Sequence, residues 1–338
     1  MGRVYYDDDA DLSVLENRKI AVLGYGNQGR AQALNLRDGG LTVVVGVRAD
    51  ASRDLAGEDG FATLTISQAT READVLLLLV PDEVMPRVFD SEIGPVLSEG
   101  RTLCFASGYN VAFGLIETPP GVDVVMLAPR MIGAGVRQRY IEGKGFPSFI
   151  GIHKDASGSA LETVLALARG IGSTRCGAMM LTFAQEAALD LFTEQAFGPA
   201  FGQVLLSAIQ TLLDAGYPVE AVMTELILSG EFAYSMQKIV ELGFFGQMEL
   251  HSHTSQYGSM TRSIRFASPH LSETMRRVLD EIENGTFADE WTAEQKSGLV
   301  VFNQIREMRA AHPIAEWERR ARLAFRLDPL RSPGAAGI

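Results

Sequence analysis

Cysteine is scarce in this chain. Cys104 and Cys176 are the only two in 338 residues, too few for a disulfide framework or a cysteine zinc cluster. That suits a reducing, cytoplasmic setting, and Cys104, in the apolar run TLCFA, reads as a core residue. Positive charge is scarce as well: 30 Lys and Arg face 42 Asp and Glu, a net charge of −12. This balance argues against general binding to nucleic acid or to an anionic membrane. It leaves room for a local basic pocket. Long hydrophobic runs are missing. The longest, Val75 to Val80, is far too short to span a bilayer. The opening MGRVYYDDDADL is acidic and has no apolar signal core. Hydrophobic content of 46% and charged content of 21% fit two globular domains of ordinary size.

What the chain does have is glycine at a telling spacing. In KIAVLGYGNQGR the apolar run Ile20 to Leu23 meets Gly24, Gly26 and Gly29, and a helical pattern follows. Gly24 permits a tight strand-to-helix turn, Gly26 lets backbone approach a pyrophosphate, and Gly29 lets helix and strand pack closely. The helix N-terminus then offers free N–H groups and a positive dipole end to phosphates.

The first half alternates apolar runs with helical patterns. Strands are expected at Ile20–Leu23, Leu41–Val47, Val75–Val80, Thr102–Ala106, Val124–Ala128 and Phe149–Ile152. Their near-continuous hydrophobicity is what parallel strands covered on both faces require. A helix near Ser159–Ala168 and a short strand near Thr174–Gly177 close the domain. From about Leu181 strand-like runs give way to long amphipathic segments: Phe183–Leu213, Val219–Leu242, Pro269–Asn284 and Thr292–Ala324. The expected organisation is an α/β Rossmann-type doubly wound domain over 1–181, an all-α domain over 182–330 and a disordered tail over 331–338.

The residues after the second strand read the adenosine ribose in such a fold. Arg48 and Ser52, with Arg53, favour the 2′-phosphate of NADP, while an inward Asp50 would repel it. NADPH is the expected cofactor, with NADH as the alternative. In LDLFTEQAFG, Asp190 and Glu194 stand four apart, on one helix face and within reach of one cation. The apolar flanks half-bury that face, so a hard ion such as Mg²⁺ is a reasonable partner, with a solvated acidic face as the alternative.

Over nearly its whole length the chain resembles the short-form (class I) ketol-acid reductoisomerases. The matching segments are VYYDDDADLSVLENRKIAVLGYGNQG, AQALNLRDGG, VPDEV, DASGSALETVLALARGIGSTR, DLFTEQ, LLDAGY, TSQYG and IENGTFADEW. The resemblance implies an NAD(P)H domain, a knotted helical C-terminal domain, and a homodimer whose active sites combine both subunits. It implies Mg²⁺-assisted alkyl migration in an acetohydroxy acid followed by reduction with NADPH, as in branched-chain amino acid synthesis. It assigns Gly24, Tyr25, Gly26, Asn27, Gln28, Gly29, Pro81 and Asp82 to the cofactor. Asp190 and Glu194 become Mg²⁺ ligands, and Ser252 a substrate contact. His251 and His253 read as surface or loop residues.

The chain departs from the family pattern where chemistry is expected. Ser107, in FASGYN, replaces a histidine, and a serine does not titrate near neutral pH. Arg130, in APRMIGAG, replaces a lysine; an arginine is always charged and presents a planar fork. Met131 and Ile132 replace a Pro-Gly. A second carboxylate pair maps onto Glu225 and Glu231, six apart rather than four, unless a kink or bulge at Gly230 realigns them. Ala187 and Ala188 replace polar residues beside Asp190, which leaves fewer groups to orient a metal ligand. Asp190, Glu194, Arg130, Ser107 and Glu231 are the expected catalytic groups. Four departures on a retained scaffold favour a diverged reductase, with migration altered or lost and a role in specialised metabolism. The alternatives are a working ketol-acid reductoisomerase acting on 2-acetolactate and a non-catalytic dinucleotide-binding paralogue.

Overall fold

A computed structural model describes residues 2–328. The expected disordered tail, 331–338, lies outside the described residues. The chain divides into two compact units between Asp190 and Leu191. That is nine residues later than the division expected from composition, because the helix Phe183–Phe192 buries Phe183, Glu186 and Ala187.

The first unit holds nine strands: β1 Val4–Tyr5, β2 Lys19–Leu23, β3 Thr42–Gly46, β4 Thr63–Leu64, β5 Val75–Leu78, β6 Thr102–Phe105, β7 Asp123–Pro129, β8 Ser148–Lys154 and β9 Ala178–Met180. They form one sheet in the order β1-β9-β8-β7-β6-β5-β2-β3-β4. The run β4-β3-β2-β5-β6-β7 is parallel, with β2 beside β5 and β3 as in a doubly wound fold. Its central strands β5 and β6 are buried residue for residue, as strands covered on both faces must be. One core face gathers Ile20, Val22, Leu36 and Leu77; the other gathers Leu23, Leu76, Leu78 and Phe105.

Three details differ from expectation. β8 runs antiparallel to β7, so the sheet is mixed. Thr174–Gly177 is a turn rather than a strand: Gly172 (φ 90°) caps the preceding helix in the left-handed region and Gly177 takes φ 120°, so β9 begins only at Ala178. The short edge strands β1 and β4 carry two residues each, too few to show alternation. β1 pairs antiparallel with β9, so the acidic N-terminal segment is part of the sheet.

The second unit is helical. The run Phe183–Asp214 that leads into it is 32 residues of helix, with a π-helical turn at Thr193–Phe197, and an 18-residue window of it has a mean hydropathy of 1.3. While the longest unbroken apolar run is still residues 75–80, this helix is by length and composition alone apolar enough to cross a membrane. Its apolar residues are spaced around polar ones, so no single run reveals it. The expected segment Val219–Leu242 is two helices. A π-helical turn at Thr224–Leu228 follows Val219–Met223, and Gly230 (φ 83°) breaks the path before Glu231–Leu242. The segment expected at Thr292–Ala324 is broken at Leu299 (φ 62°) and Pro313 into Thr286–Lys296, Val300–Ala310 and Ile314–Ala324.

Candidate active site

The carboxyl ends of β2, β3 and β5 open on a cavity of about 470 Å³. Gly24, at the end of β2, takes φ 100°, and a Cβ there would sit 2.6 Å from the carbonyl oxygen of Leu79. A Cβ on Gly29 would sit 2.1 Å from the carbonyl oxygen of Gly24. Gly26 has nothing within 4 Å of where a Cβ would go. It is therefore an open backbone position at the N-terminus of the helix Asn27–Asp38. Open backbone beside free N–H groups is what a phosphate needs.

Of the expected cofactor residues, Gly24, Tyr25, Gly26, Asn27, Gln28, Arg48, Ser52, Pro81 and Asp82 line this cavity, together with Asp50 and Ser107. Gly29 does not; it packs the turn behind it. Asp50 does not stand free: it caps the helix Ala51–Glu58 by accepting from the Ser52 amide at 3.0 Å, and Arg48 Nε lies 3.8 Å from it. Asn110 Nδ2 donates to Asp82 at 3.1 Å, which joins the 81–82 loop to the Ser107–Asn110 turn.

Sequence reasoning missed the brace under this loop. Tyr25 Oη donates to Asp59 Oδ2 at 2.8 Å, and Arg30 grips the same carboxylate through Nε at 2.7 Å and Nη2 at 3.0 Å. The hydrogen bond from Arg30 holds Asp59 below its usual range, and burial raises the Tyr25 hydroxyl above its usual range. The ring of Tyr25 is thereby fixed at the cavity wall as a neutral phenol. No spacing signals this, because Asp59 lies 29 residues beyond Arg30.

Arg130 follows β7 directly. Its Nη1 donates to Asp190 Oδ1 at 2.9 Å and its Nη2 to Glu186 Oε1 at 2.9 Å. The guanidinium lies over the ring of Phe149, 5.0 Å from the centroid. Glu186 is fully buried, and its Oε2 accepts from the Gly108 amide at 2.6 Å. Burial pushes its carboxyl up to about 7, against the pull of the Gly108 bond and of Arg130. Both of its oxygens are thus held by donors. Glu186 was not singled out in the sequence, although Glu186, Asp190 and Glu194 repeat at intervals of four.

Ser107 is half-buried and its Oγ accepts from the Tyr109 amide at 3.2 Å, so it shapes the turn as well as lining the cavity. Gln28 Nε2 donates to the Met131 carbonyl at 2.8 Å. The altered Arg130–Ile132 loop is therefore pinned to the glycine-rich turn. In the second unit Glu225 lies in the π-helical turn and Glu231 begins the next helix after Gly230, both exposed. The break expected at Gly230 is present. Ser252 is exposed and caps the helix His253–Ser263, accepting from the Ser255 amide; His253, the first residue of that helix, is exposed, a surface residue as expected.

Residues 14–177 match the family described as acetohydroxy acid isomeroreductase, NADPH-binding domain, and residues 183–326 match the ketol-acid reductoisomerase C-terminal domain. The chain belongs to the ketol-acid reductoisomerase family. It is 42% identical over 325 residues to the ketol-acid reductoisomerase (NADP(+)) of Tropheryma whipplei, covering 96% of this chain and 97% of that one. It is 40% identical over 316 residues to the protein of that name from Methanothermobacter thermautotrophicus, covering 93% and 96%. A solved structure of an NADH-preferring ketol-acid reductoisomerase from an uncultured archean aligns with a TM-score of 0.90 at 34% identity, over 97% of this chain and all of that one.

The donors suit the family's hard cation. Asp190 and Glu194 supply carboxylate oxygens one turn apart on the run Phe183–Asp214, and the Asp190 side chain is 41% exposed. Among the described residues, no group of three or more His, Cys, Asp or Glu is gathered that could hold a metal.

Proposed function

We propose that this chain is a working, Mg²⁺-dependent ketol-acid reductoisomerase that converts 2-acetolactate to 2,3-dihydroxyisovalerate with NADPH, in the cytoplasm. The observation that carries this reading is whole-length similarity, near 40% identity, to relatives that bear that name. The ranking reverses the one drawn from the four departures, which had put a diverged reductase first. Those departures change side chains but leave the glycine turn, the cavity and Asp190 in a family-like scaffold.

In this reading the Gly24–Gly29 turn and the helix behind it bind the pyrophosphate, and Arg48 with Ser52 faces the ribose. Pro81, Asp82 and Ser107 flank the far end of the cavity. Asp190 and Glu194 hold Mg²⁺, and Glu225 and Glu231 complete its ligands from a second copy of the chain. Ser252 contacts substrate. When bound, Mg²⁺ supplies the Lewis acidity for alkyl migration and the nicotinamide supplies the hydride. Ser107 cannot relay a proton as an imidazole would. Glu186 does not replace it, because both its oxygens are already engaged. Arg130 keeps its positive charge throughout.

The same reading takes the chain to work as a homodimer. All but four of the exposed large hydrophobic residues follow Leu191, and only 11% of the apolar window in Phe183–Asp214 is buried. A second copy would cover that surface, without nucleic acid or membrane.

The diverged reductase remains the second reading, favoured by the Arg130–Asp190 ion pair. NADPH oxidation decides between them, measured with 2-acetolactate in Mg²⁺ and in EDTA, and with the rearranged keto acid 3-hydroxy-3-methyl-2-oxobutanoate. The proposal expects Mg²⁺-dependent turnover of 2-acetolactate. Turnover of the keto acid alone would replace it with the second reading.

A further inference from the structure

The two carboxylates that Arg130 bridges differ in exposure. Glu186 is fully buried and is also fixed to the Gly108 amide. The Asp190 side chain is 41% exposed. Breaking the inner pair would leave a fully buried Glu186 oxygen without its donor, whereas an ion pair open to water is worth little. The guanidinium is further held by the Phe149 ring, and the Arg130 amide donates to the Pro147 carbonyl at 2.9 Å. Arg130 is therefore anchored on its Glu186 side and exchangeable on its Asp190 side.

We propose that Arg130 is a resident counter-cation for Asp190, which a divalent ion must displace from that carboxylate in order to bind, so that Arg130 sets the metal affinity of the site. This rests on the reading that Asp190 is a Mg²⁺ ligand. Charge and shape both support it. A guanidinium and a divalent ion on one carboxylate repel each other. The planar fork of arginine spans Glu186 and Asp190 at once, whereas a single ammonium is a point donor on a flexible stem and can settle on Glu186 alone. Arg130 is a positioning residue in this account: it acts through Asp190 on the ion.

The test is direct metal binding to the full-length protein, without cofactor or substrate. Free Mn²⁺ is followed by electron paramagnetic resonance for the parent, Arg130→Lys, Arg130→Gln and Asp190→Asn. Arg130→Gln is expected to bind Mn²⁺ about tenfold more tightly than the parent, the size of an ordinary coupling between two sites. Arg130→Lys, which keeps the charge and guards against misfolding, falls between them. The gain must vanish when Asp190→Asn is added, a result that a merely structural role for Arg130 would not give. Equal affinities in the parent and both Arg130 variants would overturn the displacement proposal and leave the Mg²⁺ reading standing. Binding absent from all of them would overturn the Mg²⁺ reading and this proposal together.

Discussion

The two compact units solve the burial problem differently. The sheet unit closes its core on itself: β5 and β6 are buried at every position, and two apolar clusters cover the two faces of the sheet. The helical unit leaves its apolar surface open. Among the described residues its core cluster has Ile209, Val219, Val222, Met223 and Ala321 as its buried members, while Val204, Phe245, Tyr257 and Phe266 stand exposed. Exposed large apolar residues in such number mark a surface that a partner can cover. Under the proposed dimer, the sheet unit is complete as one copy and a second copy covers the helical unit.

The largest expected effect comes from attacking the open unit. Val204 is 68% exposed, so Val204→Asp should be nearly neutral for an isolated chain. If a second copy covers this helix, the substitution buries a charge in the interface. Sedimentation velocity should then show monomer, and activity should fall by about a hundredfold or more. NADPH binding to the sheet unit should persist. Unchanged assembly would place the interface elsewhere.

Gly29→Ala attacks the closed unit instead. Its Cβ would meet the Gly24 carbonyl at 2.1 Å, so the turn must shift at a cost of about 1–3 kcal/mol. NADPH affinity, read by fluorescence, should drop about tenfold or more as phosphate-binding amides move. Assembly should not change. The two substitutions together separate cofactor binding from oligomerisation.

A smaller effect tests the buried carboxylate. Glu186 has its carboxyl raised from an ordinary 4.5 to about 7. A group raised on folding gives stability that is fully present below its unfolded value and lost as pH rises through its folded value. The native protein should therefore lose on the order of 3 kcal/mol from this group between about pH 4.5 and 7. Glu186→Gln cannot ionise. Its Tm relative to the parent should rise across that interval, and a constant difference would show that Glu186 is ionised throughout.

The closed unit was also the more legible in sequence. β2, β5 and β6 lie within two residues of their expected places, because strands buried on both faces read as continuous apolar runs. The cofactor cavity was legible for the same kind of reason: a phosphate beside backbone demands glycine, and glycine at fixed spacing can be seen. Glycine also marked the break at Gly230, whereas the one at Leu299 was harder, since an amphipathic pattern continues through a single left-handed residue. The Arg130 clamp could not be read at all. It depends on the end of β7 facing the helix that carries Glu186 and Asp190, a contact across 56 and 60 residues. The same limit hid Asp59 beneath Tyr25.

The central claim is that this chain forms its metal and substrate site only as a pair of copies. Subunit mixing tests it most directly. Asp190→Asn and Glu231→Gln homodimers should each be inactive with 2-acetolactate, NADPH and Mg²⁺. After dissociation and random reassociation, half the dimers are mixed, each with one intact site of two. The account predicts recovery of about a quarter of parent activity. Mixed dimers that form, as shown by mass spectrometry, and yet stay inactive would contradict it.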